Sequence, residues 1–332
     1  MHIKPVYLFL LFIFITGFSV PEKTSPVIYP VKFTVAQDGS GDFKTIQDAV
    51  NATKDLAPLR ITIYVKNGVY QEKLAIPSWK SNISIVGESI EKTVITNADF
   101  SGKERPAAED MFSKNKFGTF TSYTVLVQGN GCKLKNLTII NAAGRVGQAV
   151  ALHVEGDEVV VSNCSLLGNQ DTLYAGTTNS RQFYESCYIE GTTDFIFGEA
   201  TAVFKNCTIK SLSNSYITAA ATSAAQAFGF IFLDCKLTAD AGIDKVYLGR
   251  PWRSHAKTVF IRAQLGRHIL SEGWNNWNDE QNEKTVLYAE YQSMGPGANV
   301  SKRVKWSAQL SATQLESYTF AKIFADWNPL QE

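Results

Sequence analysis

Asp171 and Asp194 are the residues of this chain best placed to do chemistry. Each ends a segment of the form C-x-x-x-G-x-x-D, one running from Cys164 to Asp171 and the other from Cys187 to Asp194, offset by 23 residues. A unit of about 20–30 residues that recurs along a chain marks a solenoid, in which equivalent positions of successive coils stack. If the coils are β, the two carboxylates sit one ladder step, about 4.8 Å, apart. Like charges that close cannot both ionise cheaply. One carboxyl is pushed up and can act as an acid, while the other serves as nucleophile or base.

Such a pair suits two chemistries: a retaining glycosidase, or an acyl transfer with a carboxylate nucleophile. The surroundings discriminate between them. Gln170 adjoins Asp171, and Gln148 lies 22 residues earlier, close to one coil, so both amides can approach the same spot. Alone, each Gln reads as an ordinary strand-end hydrogen-bonding residue. Beside a repeated Asp, two uncharged N–H donors suit a developing oxyanion, which acyl transfer requires and an oxocarbenium-like state does not. A serine hydrolase is disfavoured, since no G-x-S-x-G elbow occurs. No C-x-x-C or His/Cys cluster suggests a metal, and His153, His255 and His268 read as ordinary surface or strand residues. A net charge of +1 gives no global field for nucleic acid.

The elements that must hold these residues are legible as a ladder. Aligning on the cysteine position stacks Leu137, Cys164, Cys187, Cys207 and Cys235, with steps of 27, 23, 20 and 28 residues, and Asn82 to Ile85 continues the series backwards. In each, a polar residue precedes an alternating apolar/polar run, as in a short half-buried strand. Parallel strands without long helical periodicity between them leave a parallel β-helix as the economical fold, against a β-sandwich with accidental similarity. Asp42 to Thr53 reads as an amphipathic helix with Asp42 as N-cap, covering the N-terminal end of the solenoid. The cysteines read as an inward ladder of small hydrophobic residues, with a Cys187 to Cys207 disulfide as the alternative. Sequons such as Asn163-Cys164-Ser165 fall in predicted strands and read as chance. A positive start and the apolar run Val6 to Phe18 read as a signal peptide over 1–20, so the protein is expected to be exported, either secreted or periplasmic. Residues 30–332 read as a single domain.

On these residues the chain resembles the pectinesterase, or pectin methylesterase, family. The matching motifs are Gly68 to Glu72, Gln148 to Leu152, Gln170 to Tyr174, Gly191 to Gly198 and Leu248 to Trp252, in the family's order and across most of the chain. The resemblance implies a right-handed parallel β-helix whose outer cleft takes methyl-esterified homogalacturonan, without metal or cofactor. It implies Asp194 as nucleophile, Asp171 as general acid then base, Gln148 and Gln170 as oxyanion contacts, and Arg250 as a charge-balancing partner expected to lower the pKa of Asp194. It implies Trp252 as a sugar-stacking residue and, on a looser match, Thr119 as a substrate contact. Tyr174, Phe197, Trp274 and Trp277 are candidates to line the groove, although strict alternation sets Phe195 and Phe197 opposite Asp194.

The segment Tyr216 to Thr222 departs from the Ile-Thr-Ala-Gln-Gly-Arg of many plant members and is closer to bacterial relatives, so a bacterial-type exported member is expected. The same reading expects no inhibitor-like N-terminal domain, a monomer, no nucleic-acid partner and no stable membrane association. The alternatives in play are a polysaccharide lyase or glycoside hydrolase on the same fold, and a non-catalytic carbohydrate-binding β-helix.

Overall fold

The computed structural model describes residue 2, residues 29–106 and residues 115–331. The predicted signal peptide lies outside the described residues apart from His2. Strands wind into three sheets of eleven, seven and eight members, every strand pairing is parallel, and successive coils visit the eleven-, eight- and seven-stranded sheets in turn. The result is a right-handed parallel β-helix. Each coil stacks its apolar side chains on those of the next. Tyr184, Phe204, Phe232 and Phe260 form an interior column with ring centroids 4.6, 4.6 and 4.4 Å apart and nearly parallel planes.

The cysteine register holds. Thr138, Ser165, Tyr188, Thr208 and Lys236 pair in line along the eight-stranded sheet, which are the 27-, 23-, 20- and 28-residue steps. All five cysteines are free and buried, so the disulfide alternative is not formed and the ladder is packing. The backward extension fails. Ile83–Gly87 pairs with Lys133–Lys135 in the eleven-stranded sheet, and the strand that continues the ladder is Thr93–Asn97. An Asn before an alternating run marks more than one corner of a coil.

The polar residue in each repeat has a backbone reason. Asn136, Asn163, Ser186, Asn206, Asp234, Arg262 and Gln292 have φ between 49° and 55°, the left-handed turn from one sheet to the next. Asn and Asp tolerate this region better than other non-glycine residues. Asn163 therefore sits exposed in a turn rather than inside a strand, and its amide donates to Asn136 Oδ1 at 2.8 Å.

The N-terminal helix is shorter than predicted, Ile46–Ala52, and is capped by Thr45, whose hydroxyl accepts from the Asp48 N–H. Asp42 instead accepts from the Thr34 N–H at 2.7 Å, because the chain there still follows strand Lys32–Val35. The Glu72 carboxylate takes the free N–H groups of Ile46 and Gln47 at 3.0 and 2.9 Å. Ile46, Ala49 and Val50 join the core and cover this end of the solenoid. The chain's last helix, Phe320–Phe324, lies against the middle of the stack, where Ile323 and Phe324 pack on Phe183, Val203 and Ile231 outside the eleven-stranded sheet.

Replacing Asn206 by Val should destabilise the protein by about 1–2 kcal/mol, the cost of a left-handed β-branched residue, while Asn206→Gly stays within a few tenths of a kcal/mol. Urea midpoints of the two variants check this, and equal midpoints would contradict the backbone explanation.

Candidate active site

The two carboxyls emerge where two coils turn from the eight-stranded into the seven-stranded sheet. Asp171 and Asp194 adopt φ of 66° and 49°. Asp171 donates its N–H to Thr193 O at 3.1 Å, and the following residues run in register, Leu173 with Ile196 and Tyr174 with Phe197. Equal sequence offset thus becomes vertical stacking. The left-handed step also sets which side chains face out. After Asp194, Phe195 and Ile196 both point into the core and Phe197 turns outward, so the alternation is broken by the local bend and Phe197 reaches the cleft wall.

Arg250 is delivered from a coil further on. Its N–H bonds Thr218 O at 2.9 Å, and Gly249 permits this close approach because a Cβ there would lie 2.0 Å from Thr218 Oγ1. The guanidinium grips Asp194 with both arms, Nε to Oδ1 at 2.9 Å and Nη2 to Oδ2 at 2.6 Å. It is held flat between the rings of Tyr216, 3.9 Å away, and Trp277, 3.7 Å away. Gln148 and Gln170 form a parallel bridge, one coil apart, and complete one wall.

These groups line a single cleft of about 240 Å³ together with Thr119, Phe197, Trp252 and Trp277. Phe120 and Ala219 also line it and escaped sequence reasoning, as did Tyr216 beneath Arg250. No signal short of the fold marks them, because Phe120 and the strand Tyr216–Ala220 meet at the cleft only when coils far apart in the chain stack. Thr119, matched only loosely in sequence, is placed there by the turn Thr119–Thr121, which Ser122 ties down by donating to Thr119 O at 2.7 Å.

Two aromatic candidates are corrected. Trp274 is buried inside the helix, its ring 4.5 Å from Tyr288 and 5.8 Å from Phe260, because its bridge to Gly249 directs it inward. Tyr174 does not line the cavity. Its ring backs Phe197 at 4.9 Å and its hydroxyl donates to Glu199 at 2.7 Å. His153 is a buried strand residue under Tyr174 that meets the Glu155 carboxylate at 2.9 Å, and His268 is buried, its pKa pushed down to about 4.

Asp171 and Asp194 are only 7% and 6% exposed. Burial, then the neighbouring Asp194 charge, push the Asp171 carboxyl up to about 8, against the opposing pull of Arg250 and Gln170. Burial also raises Asp194, and the Arg250 contacts oppose it without overturning it. Arg250 lowers Asp194 as expected, but desolvation is the larger influence and the net shift is upward. The cleft thus offers a carboxyl raised to about 8 beside a second one clamped by Arg250, with two side-chain amides. Such a set can supply a proton, a nucleophile and oxyanion contacts to one substrate carbonyl.

The fold and the cleft place the chain among parallel β-helix proteins that present paired carboxyls on the outer face of a sheet. Residues 32–326 match the family model Pectinesterase, and the chain belongs to that family. It is 39% identical over 317 residues to Pectinesterase 5 of Arabidopsis thaliana, covering 90% of this chain and 51% of that protein. The chain spans about half the length of the curated relatives it matches. Pectin methylesterase from carrot superposes with a TM-score of 0.79 at 33% identity, over 91% of this chain and 95% of that one. A pectin methylesterase solved in complex with a hexasaccharide gives 0.77 at 29%, over 92% and 100%.

Because the folded pKa of Asp171 lies above the ordinary 3.8, the native state keeps a proton that the unfolded chain releases between about pH 4 and 8. The stability this group allows is complete below pH 4 and is lost as pH rises towards 8. Asp171→Asn should therefore melt higher than the parent, with a gain larger at pH 8 than at pH 5. Thermal melts at both values check this, and a gain independent of pH would contradict the shifted carboxyl.

Proposed function

We propose that this chain hydrolyses the methyl esters of homogalacturonan, releasing methanol and leaving a galacturonate carboxylate. The observation that carries this reading is the clamped Asp194 beside an Asp171 carboxyl raised to about 8, with two uncharged amides in the same cleft. Family membership and the likeness to a hexasaccharide-bound pectin methylesterase support the substrate class.

Arg250 fixes both oxygens of Asp194 and aims the carboxylate. Asp194 attacks the ester carbonyl carbon, and the carbonyl oxygen takes up negative charge that the Gln148 and Gln170 amides stabilise. Collapse of this intermediate breaks the bond to the methoxy oxygen, which takes the Asp171 proton and departs as methanol. An acyl-enzyme anhydride on Asp194 remains. Asp171, now a carboxylate, takes a proton from water as the water attacks the anhydride, and Asp194 leaves unchanged. Trp252, Phe197 and Trp277 offer faces to sugar rings, Thr119 a hydroxyl at the rim, and Tyr174 acts through Phe197 rather than on the substrate.

A glycosidase on this fold is less favoured, because an oxocarbenium-like state has no use for paired amide donors, and family membership speaks against a lyase. A monomer acting without stable membrane association is part of the same proposal. Among the described residues no helix is long and apolar enough to cross a membrane. Export through a leader at 1–20, and a single domain over 30–332, complete the proposal.

Asp194→Ala should lower methanol release from esterified pectin by about a thousandfold or more without changing the circular dichroism spectrum, since the residue sits at a cleft and not in the core. Substantial turnover by the folded variant would exclude the covalent route. The parent's kcat/KM should fall above pH 8, about tenfold per unit, as Asp171 loses its proton. A profile flat to pH 10 would remove Asp171 as the acid.

A further inference from the structure

The row that carries the two carboxyls does not end at Asp194. The Asp194 N–H donates to Tyr216 O at 2.9 Å, and Tyr216 pairs in turn with Tyr247, so the next two rungs of the same row are tyrosines. Their rings stack, 5.4 Å apart and inclined by 14°. Rungs lie about 4.8 Å apart, within reach of one long side chain folded back along the row. Arg250 supplies it. Entering just after strand Tyr247–Gly249, it lays its guanidinium over the Tyr216 ring at 3.9 Å and reaches Asp194 beyond.

The two walls of this cation differ in what else they touch. Trp277 lines the cleft and is pinned by its own turn, with φ of 63° and an N–H that donates to Asn275 Oδ1 at 2.8 Å. Tyr216 is not among the residues lining the cleft. Ring distances of 3.9 and 3.7 Å leave no room for water on either face, so the planar group can move only within its own plane. In that plane its Nε and Nη2 edge meets both oxygens of Asp194. A guanidinium released from one wall regains torsional freedom that a bidentate pair must then freeze.

We propose that Tyr216 is a positioning residue: its ring face keeps the Arg250 guanidinium in the plane that grips both oxygens of Asp194, and so keeps that carboxylate aimed at the reacting carbon. The effect on turnover rests on the esterase reading above; the effect on Asp194 itself does not. Lying outside the cleft, Tyr216 acts through Arg250 alone, on kcat and not on KM. Arg250 pulls the Asp194 carboxyl down against burial, so a looser grip lets it rise further. The nucleophile then ionises only at higher pH.

The test compares methanol release by the parent, Tyr216→Phe and Tyr216→Leu, with Tyr216→Thr in place of the leucine variant if that one fails to fold. In Tyr216→Leu kcat should fall about tenfold, the scale of one desolvated cation–π contact, with KM little changed and the acid limb of kcat moved to higher pH. Tyr216→Phe keeps the ring face and should match the parent. In an Arg250→Lys background the leucine change should cost little more, because lysine has no planar fork to hold. A parent-like kcat in Tyr216→Leu, a phenylalanine variant as impaired as the leucine one, a loss confined to KM, or full additivity with Arg250→Lys overturns the role. Titration of the Asp194 carboxyl followed by NMR needs no substrate, and it should move up in Tyr216→Leu and stay in place in Tyr216→Phe. That pattern in a protein whose parent releases no methanol would defeat the esterase reading and leave the positioning role standing.

Discussion

The parallel hydrogen-bond ladder between coils is the constraint on which the rest of this molecule depends. It converts a 23-residue offset in sequence into two carboxyls stacked on one wall, and it is read directly in the pairs Leu173 with Ile196 and Tyr174 with Phe197. A slip of one residue would exchange inward and outward side chains along a strand. The interior column from Tyr184 to Phe260 resists that slip, because each ring has its partner only in the observed register. Packing inside the helix thereby holds the geometry outside it.

Backbone conformation at the corners does the remaining positioning. Left-handed φ at Asp171 and Asp194 lets a carboxyl leave the stack sideways while the next two residues still enter the core. The same conformation recurs at Asn136, Asn163 and Asn206, where it only turns the chain. A common structural device therefore carries ordinary turn residues at one corner of the coil and the acid groups at another.

Electrostatics at the site runs against stability. Two carboxyls are taken out of water side by side, and the Arg250 ion pair offsets the burial only in part. The guanidinium is itself held between Tyr216 and Trp277, so the aromatic walls serve the charges as well as any sugar. One carboxyl remains neutral and the other is oriented. This division of roles comes from unequal contact with Arg250, since the two residues have nearly equal burial.

Much of this was legible in the amino-acid sequence. The repeat determined the fold class and the steps of the eight-stranded sheet, and the recurring Asp, the neighbouring Gln residues and the Leu248 to Trp252 motif determined the chemistry available. Other features depended on turns of unequal length between strands, which periodicity does not encode. Only the tertiary structure decided that Ile83–Gly87 lies in another sheet, that Trp274 points inward and Phe197 outward, and that Thr45 rather than Asp42 caps the helix. Only it brought Tyr216 against the Arg250 guanidinium and Phe120 to the cleft, from coils far apart in the chain. The net upward shift of Asp194 was likewise not legible, because sequence names the ion-pair partner but not the depth of burial. Residue type determines which interactions are possible. Desolvation and register, which exist only once the coils are stacked, determine which of them prevail.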